Sequence, residues 1–218
     1  MTEKTKKIAM VTGASRGLGY FLALQHSQIG NHVIALAKTQ GGLTALDDSI
    51  KKETGSSATL IPFNLISPDA AYGALGQTLF ERFEKLDRLI LNAAIIGPSS
   101  PVAHTTEKDW QQIFEVNVTA NIRLLRHLDP LLRSAENPHI TFVSCDSLGD
   151  AYWGAYGASK AALNQIAASY AAETKQAGFK VDVFTPPPMA TQLRRNAYPG
   201  EDQSVLKTPQ EIAKAYVA

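Results

Sequence analysis

A tyrosine and a lysine four residues apart, Tyr156 and Lys160, are the side chains in this sequence best suited to moving a proton. In a helix, this spacing puts both side chains on one face. A tyrosine with its ordinary pKa near ~10 is a poor acid or base at neutral pH, but a neighbouring cation favours the phenolate and lowers that pKa. The pair therefore predicts proton exchange with a carbonyl or alcohol oxygen. Taken alone, the same spacing also fits the plain edge of an amphipathic helix.

A glycine-rich segment near the N-terminus provides the second chemical signal. It reads Thr12-Gly13-Ala14-Ser15-Arg16-Gly17-Leu18-Gly19 and lies between a predicted strand and a predicted helix. Glycines let a tight backbone turn approach an anion closely, and the amides and positive dipole end of the following helix then bind it. Its place after the first strand favours a dinucleotide diphosphate as that anion, over a turn with no ligand.

Two cations near this turn bear on which dinucleotide would bind. A free ribose 2′-hydroxyl is usually held by an acidic residue at the end of the second strand, where this sequence has Ala37 followed by Lys38. Arg16 and Lys38 are suited instead to a 2′-phosphate. The sequence therefore predicts NADP(H) rather than NAD(H), unless both cations are merely solvated surface charges.

Short β-branched runs alternate with longer helical stretches, which predicts an α/β fold with a parallel sheet. Most runs are continuously apolar, as expected for strands that helices cover on both faces. The candidate strands are residues 7–12, 32–37, 58–63, 88–93, 140–144 and 180–185. Open parallel sheets bind ligands at the carboxyl ends of their strands, and Asn92 and Ser144 fall at two such ends.

Residues typical of helix ends separate these strands. Pro130 is expected to kink or end a long helix that begins near Glu107 and contains Asn117. Helix ends are predicted at Gly30-Asn31, Gly55 and Gly178, and helix starts at Ser67-Pro68-Asp69, Thr106 to Asp109 and Thr208 to Glu211.

In order and spacing, these motifs resemble those of the short-chain dehydrogenase/reductase family, and they span residues 7 to about 191. The resemblance implies a Rossmann-type doubly wound parallel sheet of about six strands, in a single domain of residues 1–218. It also implies hydride transfer between NADP(H) and a carbonyl or alcohol substrate. The matching features are Thr12-Gly13-x-x-x-Gly17-x-Gly19, Leu91-Asn92-Ala93-Ala94, Val116-Asn117-Val118, Ser144 at a strand end and Tyr156-x-x-x-Lys160.

The resemblance also implies catalytic roles. Tyr156 would exchange the proton, Lys160 would hydrogen-bond the nicotinamide ribose and tune Tyr156, and Ser144 would orient the substrate carbonyl. Asn117 would hold a water of a proton relay, or else be a packing or capping asparagine. Thr191 would contact the nicotinamide carboxamide. No metal site is predicted. The predicted cofactor-binding residues are Gly13, Ser15, Arg16, Gly17, Leu18, Gly19, Lys38, Asn64, Leu65, Asn92, Ala93, Ala94, Tyr156, Lys160, Pro186 and Thr191.

The sequence departs from the family's pattern at the serine. Ser144 lies twelve residues before Tyr156, one fewer than is usual in the family, and Val143 stands at the usual position. Ser144 is preferred because it ends an apolar strand, and Ser147 is the alternative.

Other departures lie around the cofactor site. The family's Asn-Asn-Ala-Gly motif has Leu91 first and Ala94 last, and the acid after the third strand is Asn64. The Pro-Gly after the sixth strand reads Pro186-Pro187, which is stiffer and lacks one amide donor.

Residues 186–207 form the least regular stretch and begin with three consecutive prolines. This stretch is predicted to be either a surface loop or a lid that covers the substrate. The chain stops at Ala218 inside the last predicted helix, where relatives usually continue into a seventh strand. A sheet edge left uncovered in this way invites pairing with a partner subunit.

A homodimer or homotetramer is a further implication of the resemblance. Relatives pair through two long helices, here those that hold Asn117 and Tyr156. Apolar residues that would serve either such an interface or the core are Ile122, Leu125, Leu128, Ala161, Ala168 and Ala172.

Composition argues against several classes of protein. The 21 Lys and Arg nearly balance the 20 Asp and Glu, giving a net charge of +1, so no strong field attracts nucleic acid or membranes. Cys145 is the only cysteine, which excludes an internal disulfide and favours a cytoplasmic setting. No apolar run approaches the roughly 18 residues of a membrane span.

A more specific substrate and a different class of function both stay open. A 3-oxoacyl thioester reductase would need a basic patch for its acidic carrier, and Arg123, Arg126 and Arg133 are candidates for it. A non-catalytic NADP(H)-binding sensor or scaffold would explain the atypical residues around the site, although a pure binder has no need of Tyr156. A structural module would bind no cofactor at all.

Overall fold

The computed structural model describes residues 6–146 and 149–217, so the alternative serine, Ser147, lies outside the described residues. Its strands all pair in parallel, in the order β3-β2-β1-β4-β5-β6. The strands are β1 (Ile8–Thr12), β2 (His32–Ala37), β3 (Thr59–Pro62), β4 (Arg88–Leu91), β5 (His139–Val143) and β6 (Lys180–Phe184). The Rossmann-type doubly wound sheet of six strands predicted from the sequence is confirmed, with each strand ending within two residues of its predicted bounds.

Helices cover both faces of this sheet. The long helix predicted from residue 107 onward is divided by a turn of π-helix, Glu115–Thr119, into two α-helices. The α-helices are α1 (Gly17–Gln28), α2 (Gln40–Thr54), α3 (Asp69–Phe83), α4 (Glu107–Phe114), α5 (Ala120–Arg133), α6 (Gly154–Thr174), α7 (Gln192–Ala197) and α8 (Pro209–Val217).

The core consists of two apolar layers, one on each face of the sheet. Met10 belongs to the layer shared with α3, α5 and α6, whereas its neighbour Val11 belongs to the layer shared with α1, α2 and α8. Leu89 and Ile90 divide in the same way, because successive side chains of a strand point to opposite faces. This two-sided burial explains why the strands read as unbroken apolar runs.

One predicted helix start is wrong by one residue, and Pro130 does not end its helix. Pro68, not Ser67, is the N-cap of α3, which begins at Asp69. Pro130 lies inside α5, and the helix continues to Arg133. The lost backbone bond at a helical proline is offset here by packing, since both Leu131 and Leu132 are fully buried.

The predicted capping motifs at two other helices are confirmed. Thr106 accepts a hydrogen bond from the Asp109 amide at 3.1 Å and begins α4. At α8 the box is reciprocal, since Thr208 Oγ1 accepts from the Glu211 amide and the Glu211 carboxylate accepts from the Thr208 amide. These side chains satisfy amides that the first helical turn leaves unpaired.

The apolar residues proposed for either an interface or the core differ in burial. Leu125 and Leu128 are buried in the core layer of α5. The others, Ile122, Ala161, Ala168 and Ala172, are exposed. Within the described part of the chain, no helix is long and apolar enough to cross a membrane.

Candidate active site

A cleft of about 810 Å³ runs along the carboxyl ends of the strands, where the strand order reverses between β1 and β4. This is the edge at which open parallel sheets bind ligands, and the volume suits a cofactor-sized molecule. Every residue predicted to bind the cofactor lines this cleft, and so does Ser144. The structure therefore brings the separate sequence motifs together at one site, with the exception of Asn117.

The glycine turn forms one wall of the cleft. Gly13 and Gly17 have φ of +69° and +58°, a left-handed conformation that strains residues with a Cβ. Gly19 is needed for a different reason, because a Cβ there would overlap the Gly13 carbonyl and the Asn92 amide. The turn is thus tight enough for backbone amides to face a bound anion at the start of α1.

Thr12 holds the ends of β1 and β4 together behind this turn. Its hydroxyl accepts hydrogen bonds from the amides of Asn92 and Ala93, both at 3.0 Å, and lies 3.4 Å from the Ile90 carbonyl oxygen. The Asn92 side chain returns a bond to the Thr12 carbonyl oxygen at 2.9 Å. These bonds engage the backbone amide and the side-chain nitrogen of Asn92, so its side chain shapes the wall of the cleft.

Three exposed cations lie along the cleft. Arg16 and Lys38, which the sequence singled out for a 2′-phosphate, both line it. Arg195 lines it as well, and sequence reasoning missed this residue. Its only signal was the Arg194-Arg195 pair in an irregular stretch, which does not show where that stretch folds.

Tyr156 and Lys160 lie on α6 and line the same cleft, yet both are largely buried. Their exposed fractions are 8% and 2%. The Lys160 ammonium donates to the Val143 carbonyl oxygen at 2.8 Å and lies 5.7 Å from the centre of the Tyr156 ring. The two side chains therefore share a face, as the spacing predicted, but the ammonium contacts the strand rather than the phenol.

The predicted lowering of the Tyr156 pKa is wrong for this arrangement. Burial raises the pKa of Tyr156, and the neighbouring Cys145 and Asp146 raise it further. Burial also lowers the pKa of Lys160 to about 8, although the nearby Cys145 opposes that change. Desolvation outweighs the attraction between the two groups, because removing a charge from water costs more than a cation at this distance returns. The phenol thus stays protonated at neutral pH.

Two residues follow β5 into this region. The Ser144 hydroxyl is buried and has no hydrogen-bond partner among the described residues. The side chain of Cys145 is partly exposed and is close enough to Tyr156 to raise the pKa of that phenol. Sequence reasoning favoured Ser144 because it ends an apolar run, and it gave Cys145 no part in the site.

Asn117 lies behind the cleft, in the π-helical turn, and is fully buried. Its side chain accepts from the Ile95 amide and donates to the Ile95 carbonyl oxygen, both at 2.9 Å. It also donates to the Ser159 hydroxyl at 3.0 Å. The side chain therefore joins the loop after β4, the π-helical turn and α6, and the water-holding role implied by the resemblance stays a prediction.

Asn117→Ala is expected to lower the free energy of unfolding by about 2–4 kcal/mol, because it removes both side-chain partners of the Ile95 backbone, which is partly buried. Urea denaturation monitored by circular dichroism measures the loss. Asn137→Ala, at an exposed position, is the matched control and should stay within ~0.5 kcal/mol of wild type. Equal stabilities of the two variants would contradict a stabilising role for the Asn117 hydrogen bonds.

Residues 186–207 cross one side of the cleft and are tied together at their base. The Ala190 amide donates to the Lys207 carbonyl oxygen at 2.9 Å, next to a parallel bridge between Met189 and Lys207. Within the loop, the guanidinium of Arg194 pairs with Glu201 at 2.6 Å and lies 3.8 Å from the Tyr198 ring centre. The stretch is therefore a folded loop with close ends.

In the structure, Thr191 caps the short helix of this loop. Its hydroxyl accepts from the Arg194 amide at 3.1 Å and caps α7, while its methyl group faces Gly17. Thr191 thus lies where the loop meets the glycine turn, and its hydroxyl oxygen is the acceptor of the helix cap. Contact of Thr191 with the nicotinamide carboxamide stays a prediction.

A smaller cavity of about 20 Å³ adjoins Tyr156. Trp153 lines it and packs against the rings of both Tyr156 and Tyr198, with ring centres 5.4 Å apart in each case. Asn196 and Ala197 of the loop form another part of its wall. At this size the cavity itself holds about one water molecule, whereas the large cleft, which Tyr156 also lines, has room for a ligand.

Comparison with known proteins agrees with this architecture. The family model for short chain dehydrogenases matches residues 7–202. The uncharacterised oxidoreductase YciK of Escherichia coli K12 is 31% identical over 214 residues, which cover 97% of this chain and 84% of that protein.

Solved structures of this family are similar over almost the whole chain. A short chain dehydrogenase of Shigella flexneri 2a, solved in complex with NADP, is 31% identical with a TM-score of 0.93, covering 97% of this chain and 89% of that one. A short chain dehydrogenase of Escherichia coli CFT073, solved with NADPH, gives the same values. The resemblance seen in the sequence is confirmed, and the chain belongs to the short-chain dehydrogenase family of oxidoreductases.

Proposed function

We propose that this oxidoreductase transfers a hydride between NADP(H) and a small carbonyl or alcohol substrate, with Tyr156 as the general acid and base. One observation carries the proposal: Tyr156 and Lys160 line the same cleft as the glycine turn. A cleft with an anion-binding helix start and a buried proton donor has the parts that carbonyl reduction requires.

The residues of the cleft fit a dinucleotide phosphate. The glycine turn has no room for a Cβ at Gly19, and Arg16 and Lys38 supply positive charge at the cleft's edge. NADPH, when bound, supplies the hydride, and the known complexes of similar structures with NADP and NADPH support this choice of cofactor.

Tyr156 would supply the proton. Because burial raises the pKa of its phenol, the hydroxyl remains protonated at neutral pH and donates to the oxygen of a carbonyl as negative charge develops there. In the oxidation direction, the phenol must first lose its proton, so the rate of alcohol oxidation increases as the pH rises.

Lys160 would bind the cofactor next to the reacting groups. Its ammonium has three donors, and one of them is engaged with the Val143 carbonyl oxygen. We propose that another hydrogen-bonds the nicotinamide ribose. The cation would then act on Tyr156 through the electrostatic field of the loaded site, since direct contact with the phenol is lacking.

Residues 186–207 would act as a substrate-covering lid. The loop contributes to the large cleft and to the small cavity beside Tyr156, and its Tyr198 packs against Trp153. A substrate that extends from the cleft into the small cavity would displace the loop outward, and closure would then exclude water.

The function is tested by NADPH consumption against a panel of aldehydes, ketones and diketones, followed at 340 nm. The proposal expects turnover of at least one carbonyl well above the cofactor's background loss. Binding of NADPH with no turnover of any carbonyl would favour the sensor or scaffold instead. A melting temperature that does not rise with NADPH would favour a structural module.

Arg16→Ala and Lys38→Ala are each expected to raise the Kd for NADPH about tenfold, because each removes a charge-assisted contact to the 2′-phosphate. The Kd for NADH should change less than about twofold. Fluorescence titration with both cofactors measures the difference, and Lys52→Ala, an exposed lysine of α2, is the control. Equal losses for NADPH and NADH would show that these cations act on the shared diphosphate.

The 3-oxoacyl thioester alternative loses its main support in the structure. The three arginines of the proposed basic patch are all paired with acidic side chains, which reduces the positive field available to an acidic carrier. The pairs are Arg123 with Glu115, Arg126 with Asp69 and Arg133 with Asp129.

We propose in addition that the protein assembles into a homodimer or homotetramer. Ile122 is 38% exposed on α5, and the exposed alanines of α6 give that helix a surface of small residues. Close packing of α5 and α6 against a second copy would use these residues, while Leu125 and Leu128 are already engaged in the core.

A further inference from the structure

Arg195 is an exposed cation of the cleft to which neither the sequence motifs nor the proposed reaction gives a role. Its amide donates to the Thr191 carbonyl oxygen at 2.9 Å in the short helix α7, and residues four apart in a helix share a face. The Thr191 methyl group is directed at Gly17, since a Cβ added to Gly17 would lie 3.6 Å from it. Arg195 therefore lies on the face of α7 that is turned towards the glycine turn.

The two sides of α7 adjoin different spaces. Arg195 lines the large cleft together with the glycine turn, whereas the next two residues, Asn196 and Ala197, line the small cavity beside Tyr156. The Arg195 side chain is thus on the side of the loop that faces α1, and not on the side that faces the small cavity. An anion held by the amides at the start of α1 would lie on this same side.

The charges around Arg195 leave its guanidinium available to an anionic ligand. None of the described residues that line the cleft is an aspartate or a glutamate. The neighbouring Arg194 pairs with Glu201 at 2.6 Å, and Arg195 forms no ion pair within the described part of the chain. An arginine that no carboxylate neutralises presents its full charge and a planar fork of donors that matches two oxygens of a phosphate.

NADPH offers two anionic groups to the cleft, its 2′-phosphate and its diphosphate. Arg16 and Lys38 are proposed for the 2′-phosphate, which leaves the diphosphate to the neutral amides of the glycine turn. We propose that Arg195 binds the diphosphate from the loop, so that the anion lies between a guanidinium and the start of α1. This proposal rests on the proposed function, from which it takes the cofactor and not the reaction.

Titration of Arg195→Ala with NADPH and with NADH tests the proposal. Both Kd values are expected to rise about tenfold, because the two cofactors share the diphosphate and each loses a charge-assisted contact. Arg195→Lys should recover only part of the loss, since an ammonium cannot pair with two phosphate oxygens as a guanidinium does. Arg82→Ala, which removes an exposed arginine outside the cleft, is the matched control and should leave both Kd values within about twofold of wild type.

Fragments of the cofactor separate the two phosphate sites without any turnover. ADP-ribose carries the diphosphate but no 2′-phosphate, and 2′-AMP carries the 2′-phosphate but no diphosphate. In competition with NADPH, Arg195→Ala should weaken ADP-ribose about tenfold and leave 2′-AMP within about twofold of wild type, whereas Lys38→Ala should do the reverse. A loss in Arg195→Ala that is confined to 2′-AMP and NADPH would assign Arg195 to the 2′-phosphate and overturn the proposal.

Turnover measured beside these affinities separates failure of this proposal from failure of the proposed function. Unchanged Kd values for both cofactors in Arg195→Ala, in a protein that reduces carbonyls, would refute the role of Arg195 and leave the proposed function standing. Unchanged Kd values with a KM raised only for carbonyls that carry a carboxylate would also refute it, and would place Arg195 at the substrate. A loss of about tenfold for both cofactors, in a protein that reduces no carbonyl, would support the role of Arg195 and refute the proposed function.

Discussion

Tyr156→Phe is expected to lower kcat for carbonyl reduction about a thousandfold while leaving NADPH affinity within about twofold of wild type. The ring remains, so its packing against Trp153 is kept, and only the proton donor is lost. General acid catalysis by a positioned side chain contributes roughly 10²–10⁴-fold. Steady-state kinetics on the best carbonyl of the panel, combined with a cofactor titration, separates the loss of chemistry from a loss of binding.

Tyr170→Phe is the matched control for this experiment as well. It removes a phenol hydroxyl from the same helix, where that hydroxyl bonds Asp129 and not the cleft. Turnover per folded molecule should therefore stay near wild type, even if the variant melts at a lower temperature. If Tyr156→Phe consumed NADPH as fast as wild type, the general acid would have to be another group.

Gly19→Ala is expected to weaken NADPH binding by about 10–100-fold, the worth of one charge-assisted hydrogen bond, and to lower the free energy of unfolding by about 1–3 kcal/mol. The added Cβ would overlap the Gly13 carbonyl group, whose carbon would lie only 2.9 Å away, and the Asn92 amide. A backbone group cannot move aside as easily as a flexible side chain. The turn must therefore open, and its amides no longer point at the diphosphate. Isothermal titration with NADPH and urea denaturation measure the two effects.

Gly41→Ala provides the control for Gly19→Ala. Gly41 lies in the first turn of α2, and a Cβ there would meet nothing within 4 Å. Alanine is the better helix former, so this variant should keep NADPH affinity and gain up to ~1 kcal/mol in stability. If both variants bound NADPH like wild type, the tight turn would be irrelevant to the cofactor.

The sequence by itself determined the features that depend on local chemistry. Unbroken apolar runs fixed the strands, because helices cover both faces of the sheet. The spacing of Tyr156 and Lys160 put both residues on one helical face, since 3.6 residues per turn leaves little choice. The glycines of the turn were recognisable because a left-handed φ or a close backbone contact excludes a Cβ.

Only the tertiary structure decided how these groups behave. The Lys160 ammonium meets the carbonyl oxygen of Val143, a residue of another element, and burial raises the pKa of Tyr156 where local spacing predicted a lower one. Likewise, the Ser144 hydroxyl is buried without a partner among the described residues, and Asn117 joins parts of the chain that are distant in sequence. Desolvation and hydrogen bonding at these positions depend on which surfaces pack together, and a pattern of neighbouring residues does not contain that information.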